Sequence, residues 1–256
     1  MSNFDILNLA LVTTVVLSLL YAAFWARNVQ KALAVGVYRR QALGIVLISV
    51  TLALYQIANT AEAYFVFHNG LEANGEGGFG LFFIFLVAVF YWVDASVLAA
   101  RRSNSLLKDY MHWSKVRIIL WVGTLPAAII VVAVSVVSLF VSGGNSGIAP
   151  TWAGIFLFPG IFIPLFSCAI VIPIIALKTP DKILRAHLKW FGLFGIIYLA
   201  FNFLTANLSD ITMALFLTYL GDIVCAYCLY RSALSLTPLK IPVATAKNSQ
   251  SKNKMQ

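Results

Sequence analysis

Three carboxylates interrupt stretches of this chain that are otherwise apolar: Glu62, Asp94 and Asp222. A carboxylate in hydrocarbon is unstable unless it is neutral, paired or hydrated, so each is a functional candidate from the outset. Asp94 and Asp222 have matched surroundings. Tyr91 and Tyr219 precede them by three residues, which places each tyrosine on the same helix face as its aspartate. Arg102-Ser103 and Arg231-Ser232 follow at eight and nine residues. By helix rise, each carboxylate then stands ~12 Å from its arginine. The chemistry open to such a pair is the holding of a proton, a cation or a small polar solute. Further polar candidates are Gln56, Asn59 and Thr60 beside Glu62, and Asn202, Thr205 and Asn207 nearer the C-terminus. The plainer alternative is that these groups only link helices by hydrogen bonds, each worth ~0.6 kcal/mol in a membrane. Glu62 has a second plain reading. It lies about 20 residues into its run, ~30 Å by helix rise, where a long side chain reaches the headgroups.

The rest of the reactive inventory points away from catalysis. There is no P-loop, HExxH or GxSxG signature, and no carboxylate pair at catalytic spacing. Cys168, Cys225 and Cys228 lie in apolar runs without a neighbouring histidine. His68, His112 and His187 fall at run boundaries or in connections, so neither a zinc site nor a mid-membrane haem ligand is expected. The chain is expected to be no enzyme and to carry no metal or other cofactor.

The elements that must position the carboxylates follow from composition. Of 256 residues 61% are hydrophobic and 11% charged, against about a quarter charged in soluble domains. Such a chain cannot cover a core with a polar exterior, so the apolar surplus must face lipid. Runs of about 20 apolar residues free of Lys and Arg mark bilayer-spanning helices. There are seven: Phe4 to Ala26, Leu43 to Phe67, Phe79 to Ala100, Ile118 to Val141, Trp152 to Leu177, Trp190 to Leu208 and Ile211 to Leu229. The first is read as an uncleaved span because its leader, MSNFD, carries no basic residue.

The connections set the orientation. All 18 basic residues fall in the first, third and fifth connections and the C-terminal tail, whereas Asp5, Glu72, Glu76 and Asp210 mark the other face. Basic loops face the cytoplasm. The expected fold is therefore an all-α integral membrane bundle of seven transmembrane helices, N-terminus outside and C-terminus cytoplasmic, in the cell membrane. Residues 1–237 form this domain, and 238–256, polar and Lys-rich, form a disordered cytoplasmic tail. The net charge of +9 needs no nucleic-acid partner, since the loop asymmetry accounts for it.

Local signals refine the plan. Leu106, Leu107, Tyr110 and Met111 repeat at helical spacing among lysines, which predicts a short helix on the inner leaflet within residues 101–117. Thr179-Pro180-Asp181 reads as N-cap, N1 and N2 of a helix that starts ahead of the Trp190 run. Asn69 to Gly80 and Ser142 to Pro150 read as glycine-bearing outer loops. The fifth run contains Pro159, Pro164 and Pro173, so it must bend.

The layout is similar to that of microbial rhodopsins, in which an Asp of the seventh helix is followed at four residues by the retinal-binding Lys. Ala226 stands at that distance from Asp222, so the resemblance implies no retinal. If the matched Asp94 and Asp222 surroundings record a duplication, spans one to three and five to seven are parallel repeats. The function expected is passage or binding of a small solute, ion or proton through a polar interior centred on Asp94 and Asp222. The alternatives are a receptor or sensor signalling to a cytoplasmic protein through residues 101–117, and a structural subunit of a membrane complex. The lipid bilayer is the partner common to all three.

Overall fold

A computed structural model describes residues 3–33, 36–69, 76–103, 164–208 and 211–237, all of them helix or short connection. Helix α1 spans Asn3–Ala32, α2 Val37–Asn69 and α3 Glu76–Ser103. An apolar helix, Pro164–Lys178, passes through a π-helical turn, Ser167–Val171, into α4, Ile172–Lys178. Helices α5, Lys182–Ala206, and α6, Ile211–Ser235, follow. Among the described residues five helices are long and apolar enough to cross a membrane, and Pro164–Lys178 is a shorter apolar helix. This is an all-α, multi-pass membrane architecture. The expected fourth run and residues 152–163 of the fifth lie outside the described residues, as do the 104–117 segment, the Ser142 to Pro150 loop and the 238–256 tail.

The described helices close into a ring. α1 packs between α2 and α6, α2 against α3, α3 against the Pro164–Lys178 segment, and that segment against α5, which returns to α6. Two shorter contacts cross the ring, α2 with α6 and α3 with α5. Inside lie Leu19, Ile48, Leu52, Phe85, Trp92 and Phe194, all fully buried. Outside, Leu17, Phe24, Leu177 and Phe203 are each more than 60% exposed. A soluble protein seldom leaves such side chains in contiguous belts, whereas lipid accepts them.

Two boundaries differ from the sequence reading. Thr179 is not the N-cap of the next helix but the C-cap of α4: it ends that helix in an extended conformation (φ −82°, ψ 120°), as a residue preceding proline must, and turns its hydroxyl back to the Ile175 carbonyl at 2.7 Å. Asp181 is the N-cap instead, its Oδ1 accepting from the backbone of Ile183 at 2.8 Å and Leu184 at 3.2 Å. The helix does begin ahead of the Trp190 run, at Lys182. On the other face, α3 starts at Glu76 within the expected Asn69 to Gly80 loop. A glutamate in a first helical turn is favoured by the helix dipole, which offsets the glycines that follow.

The bend expected from proline is a π-turn. Ile172 N–H donates to Ser167 O five residues back, and Pro173, next in sequence, has no N–H to continue the ladder. Helix α5 comes close here because it presents glycine. A Cβ at Gly195 would lie 2.9 Å from the Cys168 carbonyl carbon, and one at Gly192 2.7 Å from Pro173 Cγ.

Candidate functional site

Asp222 is 3% exposed on the inner face of α6, near the middle of the helix. Gln56 of α2, itself 5% exposed, donates from Nε2 to Asp222 Oδ2 at 2.5 Å, across the ring. No basic group among the described residues stands against it. Tyr198 of α5 and Tyr219 of α6 stand within electrostatic reach of the carboxylate, and Tyr219 faces Thr60 of α2. The site thus joins one carboxylate, one amide and two phenols contributed by α2, α5 and α6. These groups can exchange a proton or surround a small cation, because a carboxylate offers lone pairs that a single amide N–H does not exhaust.

The other sequence candidates are distributed as follows. Asp94 is 5% exposed on α3 and is engaged with its surroundings, while Tyr91 beside it is half-buried. The backbones of α3 and α6 nowhere approach within 8 Å among the described residues, so Asp94 and Asp222 stand on helices that are not neighbours in the ring. Asn59 is half-buried one turn from Gln56. Asn202 is exposed and donates to the Tyr198 carbonyl of its own helix at 2.7 Å. Glu62 lies in α2, but its side chain is outside the described residues. Of the named candidates, Asp222 and Tyr219 come together, with Gln56 as the group that links them to α2.

A cavity of about 530 Å³ adjoins this site and is lined by Phe82, Leu165, Phe166, Tyr198, Leu199 and Asn202 among others. Tyr198 both lines the cavity and stands within electrostatic reach of Asp222. In the opposite direction the interior is filled. Tyr198 packs on Phe194 (ring centroids 6.0 Å apart), Phe194 on Phe191 (5.2 Å), Phe191 stacks on Trp92, and Trp92 meets His187 (5.2 Å). Such contacts between aromatic faces and edges leave no room for a column of solvent.

At the far end of that column is a second polar cluster that the sequence reading placed at a boundary. His187 is fully buried on α5, its Nδ1 3.0 Å from the Ser232 carbonyl oxygen of α6, and Ser232 Oγ donates to the His187 carbonyl at 3.1 Å. A histidine five residues past a helix start, among lysines, carries no burial signal in the sequence. The usable clue was the Arg231-Ser232 pair, whose serine is the partner. The three cysteines are buried and unbridged, as packing residues would be.

Comparison with protein-family models, with curated proteins and with solved structures gives no match for this chain. The site must be read from its own geometry.

Proposed function

We propose that this protein is a seven-helix membrane protein of the cell membrane, N-terminus outside, that binds or passes a proton or small cation at Asp222. The observation that carries the reading is a buried carboxylate held by one neutral amide, with no cationic partner among the described residues. A structural ion pair would have a partner, and a carboxylate within an apolar run is a functional candidate by default. The cavity beside Tyr198 supports access from one side, and the aromatic column from Tyr198 to Trp92 supports closure toward the basic ends of the helices. The π-turn ahead of Pro173, pressed against Gly195, supplies a joint at which the Pro164–Lys178 segment can move. Asp94 serves as a second carboxylate on the far wall.

The test is flux into vesicles containing the full-length protein and a pH-sensitive dye, with a pH step and then a sodium gradient imposed. Replacing Asp222 by Asn keeps the shape and removes the charge, and it is expected to reduce flux to the level of protein-free vesicles, with Asp94→Asn having the smaller effect. Equal flux through wild type and Asp222→Asn would eliminate the reading.

A further inference from the structure

We infer that one ordered water molecule is held between Trp92 of α3, His187 of α5 and Gln41 of α2, in a site these three side chains form for it. All three residues are fully buried, and each has a polar atom with no hydrogen-bond partner: Trp92 Nε1, His187 Nε2 and Gln41 Oε1. Buried polar atoms are paired in folded proteins with few exceptions, and three orphans on α3 and the two helices it touches need a common explanation.

Their donor and acceptor roles are fixed by neighbouring contacts. The Ser232 carbonyl 3.0 Å from His187 Nδ1 can only accept, and Ser232 Oγ, 2.8 Å from the same nitrogen, gives its one proton to the His187 carbonyl, so Nδ1 carries the ring proton and Nε2 of the neutral imidazole is a bare acceptor. Trp92 Nε1–H can only donate. Gln41 uses its amide nitrogen to donate to Ser96 Oγ at 3.2 Å, which leaves Oε1 as the acceptor.

Trp92 adjoins both of the other groups. The Trp92 and His187 ring centroids are 5.2 Å apart without a direct hydrogen bond between the free nitrogens. Ser96, the partner of Gln41, is one turn beyond Trp92 on α3. Gly44, about one turn beyond Gln41 on α2, is so close that a Cβ there would lie 2.8 Å from Trp92 Cδ1, the ring atom bonded to Nε1. Two other orphans, Ser49 Oγ and Arg101 Nε, are two turns or more away along their helices and take no part.

One donor and two acceptors define the guest. Water donates twice, to His187 Nε2 and Gln41 Oε1, and accepts once, from Trp92, which is the three-bond coordination usual for buried water. A metal ion or an ammonium has no lone pair for the indole N–H. An anion would meet two acceptors. An apolar guest would satisfy none of the three. The site is independent of the Asp222 reading and lies on the opposite side of the Phe191–Phe194 contact.

X-ray hydroxyl-radical footprinting of the full-length protein in detergent micelles tests it, because radicals generated from a bound water label the side chains that touch it. After correction for intrinsic reactivity, Trp92 and His187 are expected to be labelled several-fold faster than the equally buried Phe85 and Phe194, with the Trp92 label lost in His187→Phe. Labelling of Trp92 and His187 at the Phe194 rate would overturn the proposal, as would fast labelling of all four or a Trp92 label that persists in a folded His187→Phe. If that variant does not fold, the wild-type rates decide alone.

Discussion

Asp222 and His187 are both ionisable, both buried, and both met by a partner from another helix, yet the partners differ in kind. Asp222 is held by the side chain of Gln56 from across the ring. His187 is held by the Ser232 backbone carbonyl and hydroxyl of the adjacent helix, with Ser232 returning a bond to the His187 backbone. A backbone partner has no rotamer to change and fixes two helices at one register. A side-chain partner can swing away and yield its place to a ligand. The first cluster has the features of a working site and the second those of a pin between α5 and α6.

That contrast breaks most visibly at Gln56. Gln56→Leu leaves the carboxylate buried without its donor, and stranding a buried polar group in this way costs ~1–3 kcal/mol. Adding Asp222→Leu should restore much of the lost stability, since two apolar residues tolerate the interior better than one stranded acid. Unfolding in detergent at neutral pH measures both. If the double variant were no more stable than the single one, Asp222 would not depend on Gln56 and the working-site reading would lose its geometry.

Ser232→Ala sharpens the other side of the comparison. The variant keeps the carbonyl that fixes His187 Nδ1 and loses only the hydroxyl, so the expected cost is ~1 kcal/mol, the net worth of an ordinary hydrogen bond. Flux in reconstituted vesicles is expected to be unchanged. A loss of flux without loss of stability would move His187 from the structural cluster into the pathway.

The sequence carried the architecture further than the site. Helix length, apolar composition and the side of every basic residue are properties of whole segments, and they anticipated α1, α2, α3, α5 and α6 to within a few residues at most ends. Asp222 was legible because a carboxylate in an apolar run is rare in itself. Gln56 stood among several equivalent polar residues, and nothing local marks which of them meets Asp222 166 positions away. His187 was missed for the same reason. Its partner is 45 positions distant, and burial at that point is set by packing against Trp92 rather than by its own neighbours in sequence. The Thr179 error was local: a threonine beside proline and aspartate offers two plausible caps, and what decides for Asp181 is its own extended backbone (φ −65°, ψ 117°) and the Ile183 and Leu184 N–H groups its Oδ1 takes.

The smallest expected effect lies outside the apolar runs, where Tyr38 at the start of α2 donates its hydroxyl to Asp181 Oδ2 at 2.5 Å while Oδ1 caps α5. Burial raises the Asp181 pKa, but the hydrogen bonds from Tyr38, Leu184 and Ile183 together outweigh it and hold the carboxyl below its ordinary value of 3.8. A group depressed in the folded state contributes stability that is present above the unfolded value and lost as pH falls through the folded one. Tyr38→Phe removes one of the three stabilising bonds and leaves both backbone donors. Its cost near neutral pH is therefore no more than ~1 kcal/mol, given how exposed the pair is. The acid-side loss of stability begins at the same pH in both proteins, where the unfolded carboxyl takes up its proton, but in Tyr38→Phe it should be smaller and end at higher pH, a difference that unfolding curves from about pH 5 down through pH 3, the ordinary carboxyl range, would resolve. Asp181→Asn keeps the cap and cannot titrate, so in that background the Tyr38→Phe substitution should no longer change the pH dependence in this window. If the difference survived in Asp181→Asn, the tyrosine would be acting through packing and the hydroxyl bond would carry none of the pH dependence.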